Sequence, residues 1–209
     1  MRIVLTGLVV ATLAISWLGS LPALARESFA MHMMLHIVLV AIAAPLLALA
    51  IAGTAADPVR RMPRLWAAIP ASMVELVVVW AWHVPALHEA ARHHAAVFAA
   101  EQATFILSGA FLWTAAVGGS STQRRLRAGG GVVALLFTSM HMTLLGALFA
   151  LTNRPLFAHT ASGSAAAAVA DQQLGGVIML LVGGTSYLLG GLGLTAIALR
   201  SASASEEAV

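Results

Sequence analysis

Residues 29–53 read FAMHMMLHIVLVAIAAPLLALAIAG. At 1.5 Å per residue, an apolar helix of this length crosses the roughly 30 Å hydrocarbon layer of a bilayer. Yet the run opens with two histidines and three methionines between Met31 and His36. A second Met-His-Met recurs at Met140–Met142, deep inside another apolar run. Imidazoles and thioethers at positions where lipid or helix packing favours leucine call for a chemical reason.

The rest of the chain has the same character. Its 209 residues are 60% hydrophobic and 9% charged, against roughly a quarter charged in an ordinary soluble domain, which excludes a soluble globular protein. Apolar segments fall at about 3–20, 30–52, 66–84, 97–117, 131–151 and 174–199, separated by short polar loops. The expected fold is all-α: one polytopic transmembrane helix bundle of about six spans over residues 1–209, with no stretch left for a separate soluble domain. The sequence has no cysteine, so disulfides and thiolate metal sites are excluded.

The basic residues are eleven arginines scattered through short loops, a signature of membrane topology rather than of a nucleic-acid surface. Arg2, Arg60, Arg61, Arg64, Arg124, Arg125, Arg127 and Arg200 fall on one side of the expected bundle, and Arg26, Arg92 and Arg154 on the other. This bias predicts that both termini are cytoplasmic. The first segment also reads as a secretory signal peptide, with a basic start, an apolar run and Ala23-x-Ala25; cleavage would leave the other spans oriented as before.

On this topology none of the eight histidines lies in a cytoplasmic loop. His32 and His36 open the second span, His83 precedes Pro85 at the outer end of the third, and His141 sits near the middle of the fifth. His88, His93, His94 and His159 fall in outer loops, where ordinary solvated histidine is the expectation. Glu101, Asp171, Gln172 and Gln173 add polar groups on the outer side. Glu75, in mid-span, needs a partner or protonation.

His32 and His36 are four residues apart, one turn along a single helix face, and can present two nitrogens to one ion. Met31 and Met34 fall toward another face, with Met33 closer but offset. Imidazole with thioether and no thiolate suits copper, especially cuprous copper. Against this stand plainer readings: a histidine pair hydrogen-bonded at the interface, methionine as flexible core filler, and His141 in a structural hydrogen bond. The glycine pairs 175–176, 183–184 and 190–191 place small residues along one helix stripe and permit close helix approach. The segment ASGSAAAAVA (161–170) is expected to be a flexible lead-in to the last span.

HMMLHIVLVAIAAPLLALA (32–50), WHVPALHEAARHH (82–94), HMTLLGALFALTNRPLFAH (141–159) and ADQQLGGVIMLLVGG (170–184) occur in an order that resembles the CtaG family of cytochrome c oxidase assembly factors. SWLGSLPALARESFAMHMMLH (16–36) is similar to that family's first outer loop, which favours a retained first helix. The resemblance implies a multi-pass protein of the bacterial inner (cytoplasmic) membrane that matures haem–copper oxidases and handles or delivers copper, with oxidase subunits as partners. It implies a metal site of His32, His36, His83 and Asp171. His141, Gln172, Glu101, Met31, Met33 and Met34 are further candidates as ligands or orienting groups. Glu101–Gln102 stands where relatives commonly have Glu-His, and this chain has fewer expected spans than many of them.

Two alternative functions remain at this point: a bis-histidine haem protein carrying electrons, with His36 and His141 as ligands, and a copper transporter in which His141, Met140 and Met142 continue the outer site inward. A scaffold that holds oxidase subunits without touching metal is a further possibility. No Ser-His-Asp arrangement, phosphate-cradling glycine loop or metallohydrolase motif is present, so no enzyme is expected.

Overall fold

The computed structural model describes residues 1–157 and 164–206, with side chains through Arg200. Among the described residues it contains eight α-helices and no strand. They are α1 (Arg2–Leu18), α2 (Leu21–Glu27), α3 (Phe29–Ile51), α4 (Ala68–Trp82), α5 (Pro85–His93), α6 (Ala95–Val117), α7 (Ser121–Leu151) and α8, which starts at Ala165 and ends at Glu206. Four of them (α3, α6, α7 and α8) are long and apolar enough to cross a membrane. The bent pairs α1–α2 (50°) and α4–α5 (73°) bring the number to six if each pair is one span.

Three connections depart from expectation. HVPALHEAARHH, expected as an outer loop, folds mainly into α5, with Pro85 in its first turn, where its missing N–H costs nothing. The arginine-rich stretch before residue 131 is already helical. A Ser120–Gln123 capping box starts α7 there, giving 31 residues and a rod of roughly 46 Å, longer than the hydrocarbon layer is thick. Ala165–Ala170, expected as a flexible lead-in, form the opening turns of α8 behind the Ser164 N-cap, as alanine's high helix propensity dictates.

The glycine pairs of α8 make two stripes rather than one. A Cβ on Gly175, Gly183 or Gly190 would meet Phe29, Ile37 or Trp113, so the first member of each pair faces α3 and α6. A Cβ on Gly176, Gly184 or Gly191 would meet Ala150, Thr143 or Leu136, so the second member faces α7. The spacing of eight residues between the first two pairs and seven between the next two follows from a π segment at Met179–Gly184. The wider π turn absorbs one extra residue and keeps both stripes in register.

A second π segment, Val38–Ala43, lies in α3 just before Pro45. Proline has no N–H to offer the carbonyl four residues back, and Ala41 O instead accepts from Ser186 Oγ at 2.7 Å. The Ala44 N–H reaches back to Leu39 O, and Val40 O accepts from Trp113 Nε1 at 3.1 Å and from Tyr187 Oη at 3.2 Å. Tyr187 Oη also hydrogen-bonds the Glu75 carboxyl group of α4. Neighbouring helices thus satisfy the carbonyls that the irregular turn releases, as a lipid environment requires. Glu75 finds its partner here, far along the chain.

The two ends of the bundle differ. At one end, Arg2 donates to Ala52 O (3.5 Å) and Arg127 to Trp66 O, and Asp57 joins the segment after α3 to the turn before α7. The other end gathers α2, the start of α3, the α4–α5 bend and the starts of α6 and α8. Most of the histidines are there.

Candidate metal centre

The site begins with the capping of α3. Ser28 Oγ accepts from Met31 N at 3.3 Å. The Asp171 carboxylate of α8 accepts from Ser28 Oγ (2.7 Å), Phe29 N (2.6 Å) and Ala30 N (3.2 Å). These bonds satisfy amides a helix start would otherwise leave open. One turn further, His32 and His36 point the same way, their ring centroids 4.3 Å apart and edge to face.

Glu101 of α6 meets them both. Its Oε1 lies 3.1 Å from His32 Nε2 and 3.5 Å from His36 Nε2. All three side chains are buried, and one ligand atom from each falls within 4.8 Å of the others. The Gln102 amide completes the group, with Nε2 3.0 Å from Glu101 Oε2 and 3.3 Å from His36 Nδ1. The residue standing in place of the family's histidine therefore acts as a donor that orients two neighbours.

Hydrogen-bond partners decide which nitrogen carries the hydrogen. His32 Nδ1 lies 3.1 Å from Ala25 O; a carbonyl only accepts, so Nδ1 donates, and the neutral ring turns its Nε2 lone pair toward Glu101. The Gln102 amide donates to His36 Nδ1, which leaves the His36 hydrogen on Nε2, facing the same carboxylate. A metal-ligating histidine is held as His32 is, its other ring N–H donated to a carbonyl; for His36 to ligate, its Nε2 hydrogen must first leave or pass to Nδ1 as Gln102 turns away. The bent α1–α2 pair thus contributes an atom, Ala25 O, to the orientation of the site.

His83 ends α4 at the bend, its ring centroid 6.0 Å from that of His36 and stacked at 5.6 Å on Phe149. It is buried, with Nδ1 2.6 Å from Val79 O and Nε2 3.2 Å from Met33 Sδ. Phe105 packs under His36 at 4.1 Å.

The expectation of a solvated His88 is corrected. His88 is fully buried, its ring 4.4 Å from His32, 4.7 Å from Phe157 and 5.5 Å from Phe29. The signal was present in α5, where His88 and Ala91 share a buried face three residues apart and the charged Glu89 and Arg92 each follow one of them. His93 and His94 are exposed as expected, with His93 Nε2 2.7 Å from Glu89 Oε1. His159 lies outside the described residues.

The remaining candidates go elsewhere. Asp171 spends its oxygens on the start of α3. Gln172 accepts from Leu156 N at 2.8 Å and Gln173 donates to Thr152 O at 3.3 Å; the Asp-Gln-Gln run thus ties α8 to α3 and to the segment after α7. Met31 and Met34 are half-buried, and only Met33 of the three is fully enclosed. His141 is buried beside Phe137 at 5.6 Å, and neither ring nitrogen has a hydrogen-bond partner among the described residues.

An all-helical, multi-pass membrane protein with a buried imidazole–carboxylate cluster at one end of its bundle is the class these observations define. The sequence profile of the cytochrome c oxidase caa3 assembly factor family (CtaG) matches residues 2–201, essentially the whole chain, and the chain belongs to that family. No curated protein matches it. No solved structure matches it.

Proposed function

We propose that this protein is a non-catalytic carrier that holds copper at the outer face of a bacterial cytoplasmic membrane and delivers it to a maturing cytochrome c oxidase. Family membership supports the oxidase, and the His32–His36–Glu101 cluster supports the cargo: three buried donor atoms from two helices within 4.8 Å of one another. The arginine bias puts the opposite end of the bundle in the cytoplasm. Two imidazoles can hold copper as they can zinc or iron; the haem–copper oxidase served by the family is what favours copper, and burial keeps water from competing for the ion. Copper here is cargo, so a small ligand set that binds adequately and releases quickly fits the task.

The experiment is metal analysis of purified wild-type protein beside a His36→Ala variant, together with the amount of mature oxidase in cells expressing each. Copper occupancy and mature oxidase are expected to fall together. Normal values of both, with the variant present in the membrane, would refute the proposal.

A further inference from the structure

His83 and Met33 stand apart from the cluster, and their geometry is not that of an ordinary hydrogen bond. His83 Nδ1 faces Val79 O at 2.6 Å, and a carbonyl oxygen has no hydrogen to give, so Nδ1 donates. In the neutral ring, Nε2 is then a bare lone pair. It points at the Met33 sulfur 3.2 Å away, and a thioether also offers only lone pairs. Two electron-pair donors therefore face each other inside the protein with no hydrogen between them. With metal bonds of about 2.0 Å to nitrogen and about 2.3 Å to sulfur, donors at that separation subtend roughly a right angle at a shared ion.

Both donors are held in place. The Phe149 stack fixes the plane of His83. Met33 lies against Gly175 of α8, where a Cβ would come within 3.0 Å of Met33 Cγ and 2.5 Å of the Phe29 ring; only glycine lets α8 close on the thioether. The neighbouring cluster supplies nitrogen and carboxylate oxygen. This pair supplies nitrogen and soft sulfur, a combination that favours the cuprous ion over harder cations.

We propose that Met33 and His83 form a second station, selective for cuprous copper, beside the His32–His36–Glu101 cluster, so that one pocket holds its cargo in two coordinations. The proposal rests on the copper reading above. Passage from the first station to the second exchanges bonds to Glu101 and His32 for bonds to His83 and Met33; the ion stays cuprous and no electron moves. His36, whose ring centroid is 6.0 Å from that of His83, lies between the two.

The test uses full-length protein in lipid nanodiscs, loaded anaerobically with Cu(I) or separately with Cu(II). In wild-type protein, X-ray absorption of the Cu(I) form should show a sulfur neighbour at about 2.3 Å. Met33→Leu should remove that sulfur and weaken Cu(I) retention against a cuprous chelator at least about tenfold, roughly 1.4 kcal/mol. The nitrogen-coupled paramagnetic resonance of the Cu(II) form should survive in the same variant. His83→Phe should repeat the result, and Met34→Leu should change nothing. Cu(I) held by nitrogen and oxygen alone in wild-type protein, or sulfur persisting in Met33→Leu, overturns the second station and leaves the copper reading standing. Wild-type protein that takes up neither form refutes both.

Discussion

Asp57 and Glu101 are both buried carboxylates at the ends of the bundle, and they are held by opposite means. Among the described residues Asp57 accepts only from backbone N–H groups: Gly53 at 2.7 Å, Val59 at 3.0 Å and Gly119 at 2.6 Å. Gly53 and Gly119 have φ of 72° and 95°, a region open to glycine at little cost, so the chain itself is shaped around the carboxylate. Among the described residues Glu101 faces only side chains: His36 and Gln102 donate to it, and His32 Nε2 lies 3.1 Å from its Oε1. Backbone donors cannot leave without unfolding a turn, whereas imidazoles and amides exchange partners by rotating a bond or moving a proton. The first carboxylate is architecture. The second is available for chemistry.

Removing the second should give the largest effect on cargo. Glu101→Gln keeps the size and removes the charge, and copper affinity should fall by about a hundredfold or more, the upper range for loss of a mere orienting partner. The measurement is competition with a chelator of known strength, and an unchanged affinity would erase the contrast. Asp57→Ala should act on folding instead. It leaves three amides without an acceptor and should cost about 3 kcal/mol or more, read as a lower thermal midpoint in detergent. Copper bound per folded molecule should stay the same.

Gln102→Leu removes the donor to His36 and Glu101 while leaving the ligand atoms, so affinity should drop about ten- to a hundredfold, less than for Glu101→Gln. Asp171→Asn weakens the cap on α3 and should cost about 1 kcal/mol, with only a small change in copper binding. Last, His141→Leu exchanges two unpartnered buried nitrogens for apolar volume, and stability should hold or rise slightly. Copper loss in that variant would bring a further imidazole into the chemistry and redraw the comparison.

Much of this was readable in the amino-acid order. Hydrophobic run length picked out the spans, since lipid thickness imposes it directly. The His32–His36 spacing put two nitrogens on one face because four residues make one helical turn. Glu101 was visible as an outer-side polar group and, through the resemblance, as a further candidate ligand; that it bridges both imidazoles depends on how α6 packs against α3, and no local pattern encodes that. Asp171 carries the right chemistry for a ligand, but the register of α8 against α3 delivers it to an N-terminus. His88 looked solvated because α5 was read as loop, and a short helix of mixed character beside a proline leaves a weak periodic trace.

The π turn of α3 has a bearing on the proposed release of cargo. Its Val40 and Ala41 carbonyls are gripped by Trp113, Ser186 and Tyr187, so α3, α6 and α8 are laced together below the imidazoles by groups that never touch an ion. A carrier whose cohesion came from its passenger would slump at each delivery. In the proposed carrier the seam lies elsewhere, in hydrogen bonds that an ion neither makes nor breaks.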